Sequence, residues 1–444
     1  MKNFIQINKK INQYKNLEIF VTGDKSISIR FIILSSLAQG KSVAKNLLMS
    51  EDVINAIKCI RKLGIKIIIK KNYCEVFGKG LYGYNYKSNL LLDAGNSGTT
   101  ARLLCGALVD VKKKIKIIGD KSLQKRDMLR IIKPLEKVGV KFFKNNGKLP
   151  LTITGSKKLS PINYFENLGS AQCKSAIMIA SLKISGNTNL KCLPSRNHTE
   201  LLFKNVLKVP IKIKKEKKYD IIQIKGLNNF KSFKYKIPGD ISSASFFIVL
   251  TLLSDNSNLI IKKININPTR IGIIKILNKM GAGIRLKNKK NYNGEQVADI
   301  HVSSKKNLKS INLNPKLNSS AIDEFLLIFL VAAVCKGTSK FSKLGELNKK
   351  ESKRLDWGYK ILKMIGVKVK KTGNSGILIL GNPKLELKKS FQVKNFLKDH
   401  RIFMLATVMG LTLGGNWKIY DPDSIKTSFP TFLNIIKNLG GKIQ

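Results

Sequence analysis

Ile60-Arg61-Lys62-Leu63-Gly64-Ile65-Lys66 reads as the end of an amphipathic helix, a glycine, and the start of an alternating strand. The same wording returns at Leu135-Glu136-Lys137-Val138-Gly139-Val140-Lys141 and at Ile276-Leu277-Asn278-Lys279-Met280-Gly281-Ala282-Gly283. It returns again at Ile361-Leu362-Lys363-Met364-Ile365-Gly366-Val367-Lys368 and at Ile435-Ile436-Lys437-Asn438-Leu439-Gly440-Gly441-Lys442. A weaker copy, Val206-Leu207-Lys208-Val209-Pro210-Ile211-Lys212, has Pro where the others have Gly. Glycine accepts the left-handed backbone needed where such a helix turns into a strand. The sites recur at intervals of roughly 70–85 residues, which predicts one α/β unit repeated six times. Six units divide into two groups of three. Pro238-Gly239 follows a short strand and marks the crossing between groups. Asp240-Ile241-Ser242-Ser243-Ala244-Ser245-Phe246 then reads as a capped helix start. The expected domains are 23–240 and, with a first strand at 17–22, 1–22 plus 241–444. A ligand site is expected in the cleft between such lobes. Residues 288–293 read as a mobile polar loop.

The bulk composition narrows the function. A chain of 444 residues, 43% apolar, fills two domains. No apolar run reaches the roughly 20 residues of a membrane span; the best, 325–335, is too short. The opening MKNFIQINKKINQYK has no apolar stretch before a small-residue cleavage site, so no secretory signal is expected. Six scattered Cys without a CxxC pair, and three dispersed His, predict a protein of the reducing cytoplasm with no metal and no cofactor. The net charge of +55, from 82 basic and 27 acidic residues, attracts any small anion. The excess is mostly Lys spread along the chain, without a nucleic-acid-binding motif. A solvated Lys-rich surface is expected, with no specific nucleic acid and no membrane as partner.

Polar clusters punctuate this frame. Thr22-Gly23-Asp24-Lys25-Ser26-Ile27-Ser28-Ile29-Arg30 reads as a tight strand-to-helix turn that places Lys25 at a helix start, where unpaired backbone N–H groups favour anions. Surface capping explains the same residues without a ligand. Asp93-Ala94-Gly95-Asn96-Ser97-Gly98-Thr99-Thr100-Ala101-Arg102 exposes backbone N–H groups, a cradle for carboxylate or phosphate or an ordinary Gly-rich turn. Gly119-Asp120-Lys121-Ser122 repeats the first cluster's wording and leads to Arg126. Gly169-Ser170-Ala171-Gln172-Cys173-Lys174 opens a helix whose Cys173 reads as core-facing. His198, in Ser195-Arg196-Asn197-His198, reads as structural. In the second half, Asp323-Glu324 precede an apolar helix, and capping explains one of the two acids. Lys350 and Arg354 are four apart and share a face if helical, with Glu351 between them. Asp399-His400-Arg401 precedes another helix. Many cations, a few acids and no metal set suit a reaction between two anionic substrates.

The chain resembles the 3-phosphoshikimate 1-carboxyvinyltransferase family, also called EPSP synthase, from residue 17 to 440. The resemblance lies in GDKSISIR (23–30), AGNSGTTAR (94–102), KRDM (125–128), SAQCKSA (170–176), RNHTE (196–200), PGDISSASFF (238–247), NPTR (267–270), IDE (322–324), KESKR (350–354), DHR (399–401) and TSFP (427–430). The wording is closest to the branch often associated with glyphosate tolerance. The family implies two domains, each of three βαβαββ units about a pseudo-threefold axis. It implies transfer of the enolpyruvyl group of phosphoenolpyruvate to shikimate 3-phosphate by a cytoplasmic monomer. By motif, Lys25 touches both substrates. Ser26, Arg30, Ser170, Ala171, Gln172, Arg196, Asp323 and Lys350 hold shikimate 3-phosphate. Asn96, Gly98, Thr99, Arg126, Gln172, Arg354 and Arg401 line the phosphoenolpyruvate pocket. Asp323 takes the proton of the 5-hydroxyl, and Glu351, helped by Lys25, protonates C3 of the donor.

Several positions depart from the family pattern. Asp127 stands where Pro is usual, Lys353 where Asp is usual, and Ile29 where His or Asn is frequent. Each predicts a somewhat loosened pocket. Lys426 lies one position before a family Lys, and Thr427 aligns there instead. Gly98 replaces the Ala often found in the tolerant branch, so glyphosate sensitivity is expected. Three alternatives stay open. An enolpyruvyl transferase for UDP-N-acetylglucosamine shares the fold, but typically carries a Lys-Asn opening pair and a reactive Cys in a mobile loop. Here Lys25-Ser26 opens, and 119–130 has no Cys. A basic nucleic-acid-binding protein explains the charge but not the paired acids. A decayed enzyme would not be expected to keep Lys25, Asp323, Glu351 and Arg401 together.

Overall fold

A computed structural model describes residues 3–70 and 73–444; Met1, Lys2, Lys71 and Asn72, which the expected domains include, lie outside the described residues. The chain forms two compact units. The N-terminal unit comprises Gly23–Ile237 and Asn291–Glu295. The C-terminal unit comprises Met1–Thr22, Pro238–Lys290 and Gln296–Gln444.

Each unit holds three pairs of helices, one buried and one at the surface. In the N-terminal unit the pairs are α1 (Lys25–Leu37) with α2 (Glu51–Lys62), α3 (Gly98–Ala107) with α4 (Leu129–Val138), and α5 (Ala171–Ser181) with α6 (His198–Leu201). A π-helical turn over Leu202–Leu207 continues α6. In the C-terminal unit they are α7 (Ile241–Leu253) with α8 (Gly272–Lys279), α9 (Phe325–Ala333) with α10 (Arg354–Met364), and α11 (His400–Leu413) with α12 (Phe432–Asn438). The first member of each pair is apolar on most sides and buried over most of its length. The second is amphipathic and keeps a polar face outward, except in α6, whose His198, Thr199 and Glu200 are buried.

Each surface helix ends as the sequence predicts. Gly64, Gly139, Gly281, Gly366 and Gly440 all have φ between 82° and 110°. In the weaker copy the left-handed residue is Lys208, φ 54°, and not Pro210. Proline cannot reach positive φ, so the reversal moves two residues earlier.

The sheets repeat with the helices. In the N-terminal unit, Lys234–Lys236, Gln39–Lys45, Tyr73–Lys79 and Lys66–Lys70 form one four-stranded sheet. Its first pair is parallel and the next two antiparallel. The sheets Leu90–Asp93, Ile115–Ile118, Lys148–Thr154, Lys141–Asn145 and Asn163–Glu166, Asn187–Cys192, Asp220–Lys225, Ile211–Lys215 follow the same order. In the C-terminal unit, Leu17–Phe20 pairs parallel with Asn258–Asn265, which continues to Glu295–Ser303 and Arg285–Tyr292. Gly337–Phe341, Gly376–Gly381 and Lys368–Thr372 form the second sheet. Leu387–Val393 pairs parallel with Gly414–Tyr420, whose antiparallel partner is Phe4–Ile7 in register Phe4↔Tyr420. Six α/β units, three to a unit, are therefore present. Each unit closes its own apolar core, with Phe31, Leu104 and Ile177 in one and Phe247, Phe329 and Trp417 in the other.

The expected loop at 288–293 is instead a strand end and turn. The strand Arg285–Tyr292 runs through most of it, and the chain reverses at Asn293, φ 51°, and Gly294, φ 95°. Its side chains are mostly exposed, so it lacks the alternation that marks a strand.

Candidate active site

In the N-terminal unit the candidate residues gather at the N-termini of the buried helices. A Cβ on Gly23 would sit 2.0 Å from the Asn46 carbonyl oxygen, so the strand-to-helix turn admits only glycine. Asp24 is fully buried and caps α1 by accepting from the Ile27 N–H at 3.0 Å. Lys25 and Ser26 therefore occupy the first turn, where backbone N–H groups lack helical acceptors. Lys25 Nζ donates to Asp52 Oδ2 at 2.9 Å. Arg30 lies one turn on and is buried. Its Nε donates to Thr199 Oγ1 at 2.8 Å, its Nη2 to Ser175 Oγ at 2.9 Å, and its Nη1 to the Ser26 carbonyl at 2.9 Å.

Ser97 caps α3 and leaves Gly98 and Thr99 in the first turn. Arg126 Nη2 donates to Asn96 Oδ1 at 2.9 Å, and Asn96 Nδ2 donates to Asp120 Oδ2 at 2.6 Å. Ser170 caps α5 and leaves Ala171 and Gln172 in its first turn. The loop before it is shaped by Glu166, whose carboxylate accepts from the Leu168 and Ser170 N–H groups at 3.1 Å. Burial lifts the Glu166 carboxyl above its usual range despite those donors. Gln172 bonds Arg102 and Thr99, both on α3. Arg196 is half-buried just before α6. His198 is fully buried with Nδ1 2.6 Å from Glu295 Oε1. Burial pushes the Cys173 thiol up to about 12, as befits the core position expected of it.

The C-terminal unit gathers carboxylates around arginine. Arg354 is almost wholly buried. Its Nη1 meets Asp323 Oδ1 at 3.2 Å, its Nη2 meets Glu351 Oε2 at 2.5 Å, and its Nε meets Asp399 Oδ2 at 2.9 Å. Burial alone pulls the Arg354 pKa down, but the three carboxylates reverse this and raise it. Burial alone raises the Asp399 carboxyl, but Arg354 beside it holds it below the usual carboxylate range. Asp399 also caps α11 and accepts from Ser352 Oγ at 2.8 Å. Lys350 Nζ reaches Asp323 Oδ1 at 3.2 Å. Arg401 Nη1 donates to the Asp323 carbonyl at 2.8 Å and lies 3.8 Å from Glu324 Oε1.

Two local expectations change. Glu324 occupies the N-cap position of α9 without a capping bond; it is buried and accepts from Ser242 Oγ at 2.5 Å instead. Lys350 and Arg354 do not share a helix face, because α10 begins only at Arg354. They converge because both reach Asp323. The family departures also find places. Ile29 is completely buried in the core. The Asp127 carboxylate accepts from the Leu129 N–H at 2.8 Å and meets Arg130 Nε at 3.3 Å, outside the cradle. Lys353 is exposed and caps nothing; Asn348 Oδ1 accepts from the Leu355 and Asp356 N–H groups in its stead. Lys426 pairs with Asp423 at 2.8 Å at the surface, and Thr427 Oγ1 lies 3.2 Å from His400 Nδ1.

Asp52, Glu166 and Arg102 are the site residues that the sequence reading gave no role. A buried acid in so basic a chain is a usable signal for the first two. Among the described residues no group of His, Cys, Asp and Glu is arranged to hold a metal, and no helix is long and apolar enough to cross a membrane.

Residues 10–436 match the family model of EPSP synthase (3-phosphoshikimate 1-carboxyvinyltransferase). A 3-phosphoshikimate 1-carboxyvinyltransferase of Thermoanaerobacter sp. (strain X514) is 39% identical over 431 residues, 96% of this chain and 98% of the relative. One of Ruthia magnifica subsp. Calyptogena magnifica is 38% identical over 425 residues, 96% and 95% of the two chains. The solved EPSP synthase of Acinetobacter baumannii superposes with a TM-score of 0.86 at 32% identity, covering 99% of each chain. The enolpyruvyl transferase NikO of Streptomyces tendae, 12% identical with a TM-score of 0.76 over 99% of this chain and 98% of its own, shares the fold. With a family match over nearly its whole length and relatives this similar, the chain belongs to the EPSP synthase (3-phosphoshikimate 1-carboxyvinyltransferase) family.

Proposed function

We propose that this chain transfers the enolpyruvyl group of phosphoenolpyruvate to the 5-hydroxyl of shikimate 3-phosphate, releasing phosphate, in aromatic amino-acid biosynthesis. The observation that carries the reading is the Arg354 clamp, which holds Asp323 and Glu351 on one guanidinium. A base and an acid so placed can serve two atoms of one substrate pair. Asp323 removes the proton of the 5-hydroxyl as its oxygen attacks C2 of phosphoenolpyruvate. Glu351 gives a proton to C3, and a tetrahedral phosphate ketal results. Elimination then breaks the C2–O bond to phosphate, removes a proton from C3 and restores the double bond.

Electrostatics favour this order. Arg354 holds Glu351 in an ion pair in the free protein. The carboxylate of phosphoenolpyruvate, bound to Arg354 and Arg401, competes for the same guanidinium and frees Glu351 to take a proton. Lys25, Asn96, Gly98, Thr99, Gln172 and Arg126 complete the donor pocket. Lys25, Ser26, Arg30, Ser170, Ala171, Gln172, Arg196, Asp323 and Lys350 hold the acceptor. The substrate-binding Lys and Arg come with helix N-termini, which already favour phosphate. The domains 23–240 and 1–22 with 241–444 divide the work. The first is mainly for shikimate 3-phosphate, and the second supplies the acid and base. We place the enzyme in the cytoplasm as a monomer that uses no cofactor.

The test is phosphate release by purified protein. Release from phosphoenolpyruvate that strictly requires shikimate 3-phosphate is expected. Release without it, or none with both substrates present, overturns the reading.

A further inference from the structure

Arg102 belongs to α3 but serves three segments. It is 8% exposed. Its Nη1 donates to Gln172 Oε1 on α5 at 2.5 Å, and its Nη2 donates to the Asp127 carbonyl at 3.0 Å. Gln172 Nε2 in turn donates to Thr99 Oγ1 at 2.9 Å. A guanidinium has five donors and no acceptor. It therefore dictates which end of the Gln172 amide faces it: the oxygen must point to Arg102, and the NH2 to Thr99. Without Arg102 the amide has no reason to prefer that orientation over its flipped form. The same Nη1 lies 3.3 Å from where a Cβ on Gly98 would stand, beside Arg126 Nη1 at 3.1 Å. Arg102 thus backs the first turn of α3 while holding the amide on α5.

We propose that Arg102 is a positioning residue that fixes the orientation of the Gln172 amide, and through it the fit of shikimate 3-phosphate against the first turn of α3. The proposal rests on the function given above, in which Gln172 touches substrate. The Asp127 carbonyl is the second anchor. It is a backbone group, so the departure from the usual residue at Asp127 leaves it intact.

The experiment is a double-mutant cycle of Arg102→Met and Gln172→Ala, read as KM for each substrate, kcat and Tm. Arg102→Met should raise KM for shikimate 3-phosphate ~10-fold, the consequence of a buried amide left without its partner, with kcat within about 3-fold. Gln172→Ala should do the same, and the double variant should be within about 2-fold of Gln172→Ala, because residues acting through one contact are not additive. Arg102→Lys, which can reach one of the two acceptors, should fall between wild type and Arg102→Met. Should Arg102→Met not fold, Arg102→Lys with Gln172→Ala carries the same test. Multiplying effects, or an unchanged KM in Arg102→Met, overturn the inference. A uniform loss of kcat that follows Tm also overturns it, since that marks a merely structural role. Wild-type phosphate release distinguishes the two failures. If it is absent, the proposed function fails first; if it is present and Arg102 variants behave as wild type, only this inference fails.

Discussion

The two units present their buried helices differently at the end where the candidate residues lie. In the N-terminal unit, arginines tie the helices through bonds that include neutral side chains: Arg30 on α1 to Ser175 on α5 and Thr199 on α6, and Arg102 on α3 to Gln172 on α5. In the C-terminal unit the corresponding arginines bond carboxylates: Arg354 to Asp399 and Asp323, and Arg270 to Asp240 at 3.2 Å. Hydroxyl and amide acceptors orient a guanidinium without adding a charge of their own. Carboxylates neutralise it and gain proton chemistry in exchange. Under the proposed function, the same architecture, repeated, serves mainly for holding in one unit and for proton transfer in the other. The N-terminal unit has carboxylate pairs too, with lysine: Asp52 with Lys25 and Glu200 with the buried Lys174.

The comparison breaks most decisively at Asp323. Asp323→Asn keeps size and hydrogen bonding but removes the base. We predict a fall in kcat of about 10³-fold with substrate Kd values within a few-fold, measured by rapid quench and equilibrium binding. Near-normal turnover would remove Asp323 from its role. Asp52→Asn comes next. Lys25 would lose its compensating charge, and KM for both substrates should rise ~10-fold with a smaller change in kcat. A change confined to kcat would mean that the N-terminal unit also works on protons, and the division would fail. Gly98→Ala sharpens the comparison with the smallest effect on the substrates themselves. Its Cβ would press Arg126 Nη1 and Arg102 Nη1, both ends of flexible side chains that can yield a few tenths of an ångström. Competitive inhibition by glyphosate should weaken ~10-fold or more, with KM for phosphoenolpyruvate changed only a few-fold. Equal inhibition constants in wild type and variant would sink this prediction.

Much of the fold was legible because its signals are local. A helix, a glycine and an alternating strand lie within a few residues of each other, and six copies reinforce one another. The copy at Pro210 misplaced the reversal by two residues, since Lys208 gives no compositional hint that it takes positive φ. The hairpin end at 288–293 was misread because an exposed polar strand has no apolar alternation. At the site, whole motifs were legible by resemblance, but their supports were not. Asp52 meets Lys25 from another helix, and Arg102 meets Gln172 across seventy positions of sequence. No local pattern announces such pairs. Lys350 and Arg354 show the converse: spacing suggested a shared helix face, whereas a common partner, Asp323, brings them together.

The pairing of Phe4–Ile7 with Gly414–Tyr420 has a consequence for synthesis on the ribosome. The N-terminal unit is nearly continuous in sequence, so most of it can consolidate while the rest of the chain is still being made. The last sheet of the C-terminal unit cannot. Its first-made strand must wait, unpaired, until Gly414–Tyr420 emerges. The edge left open during that wait is short, four residues, which limits the chance of pairing with a wrong neighbour.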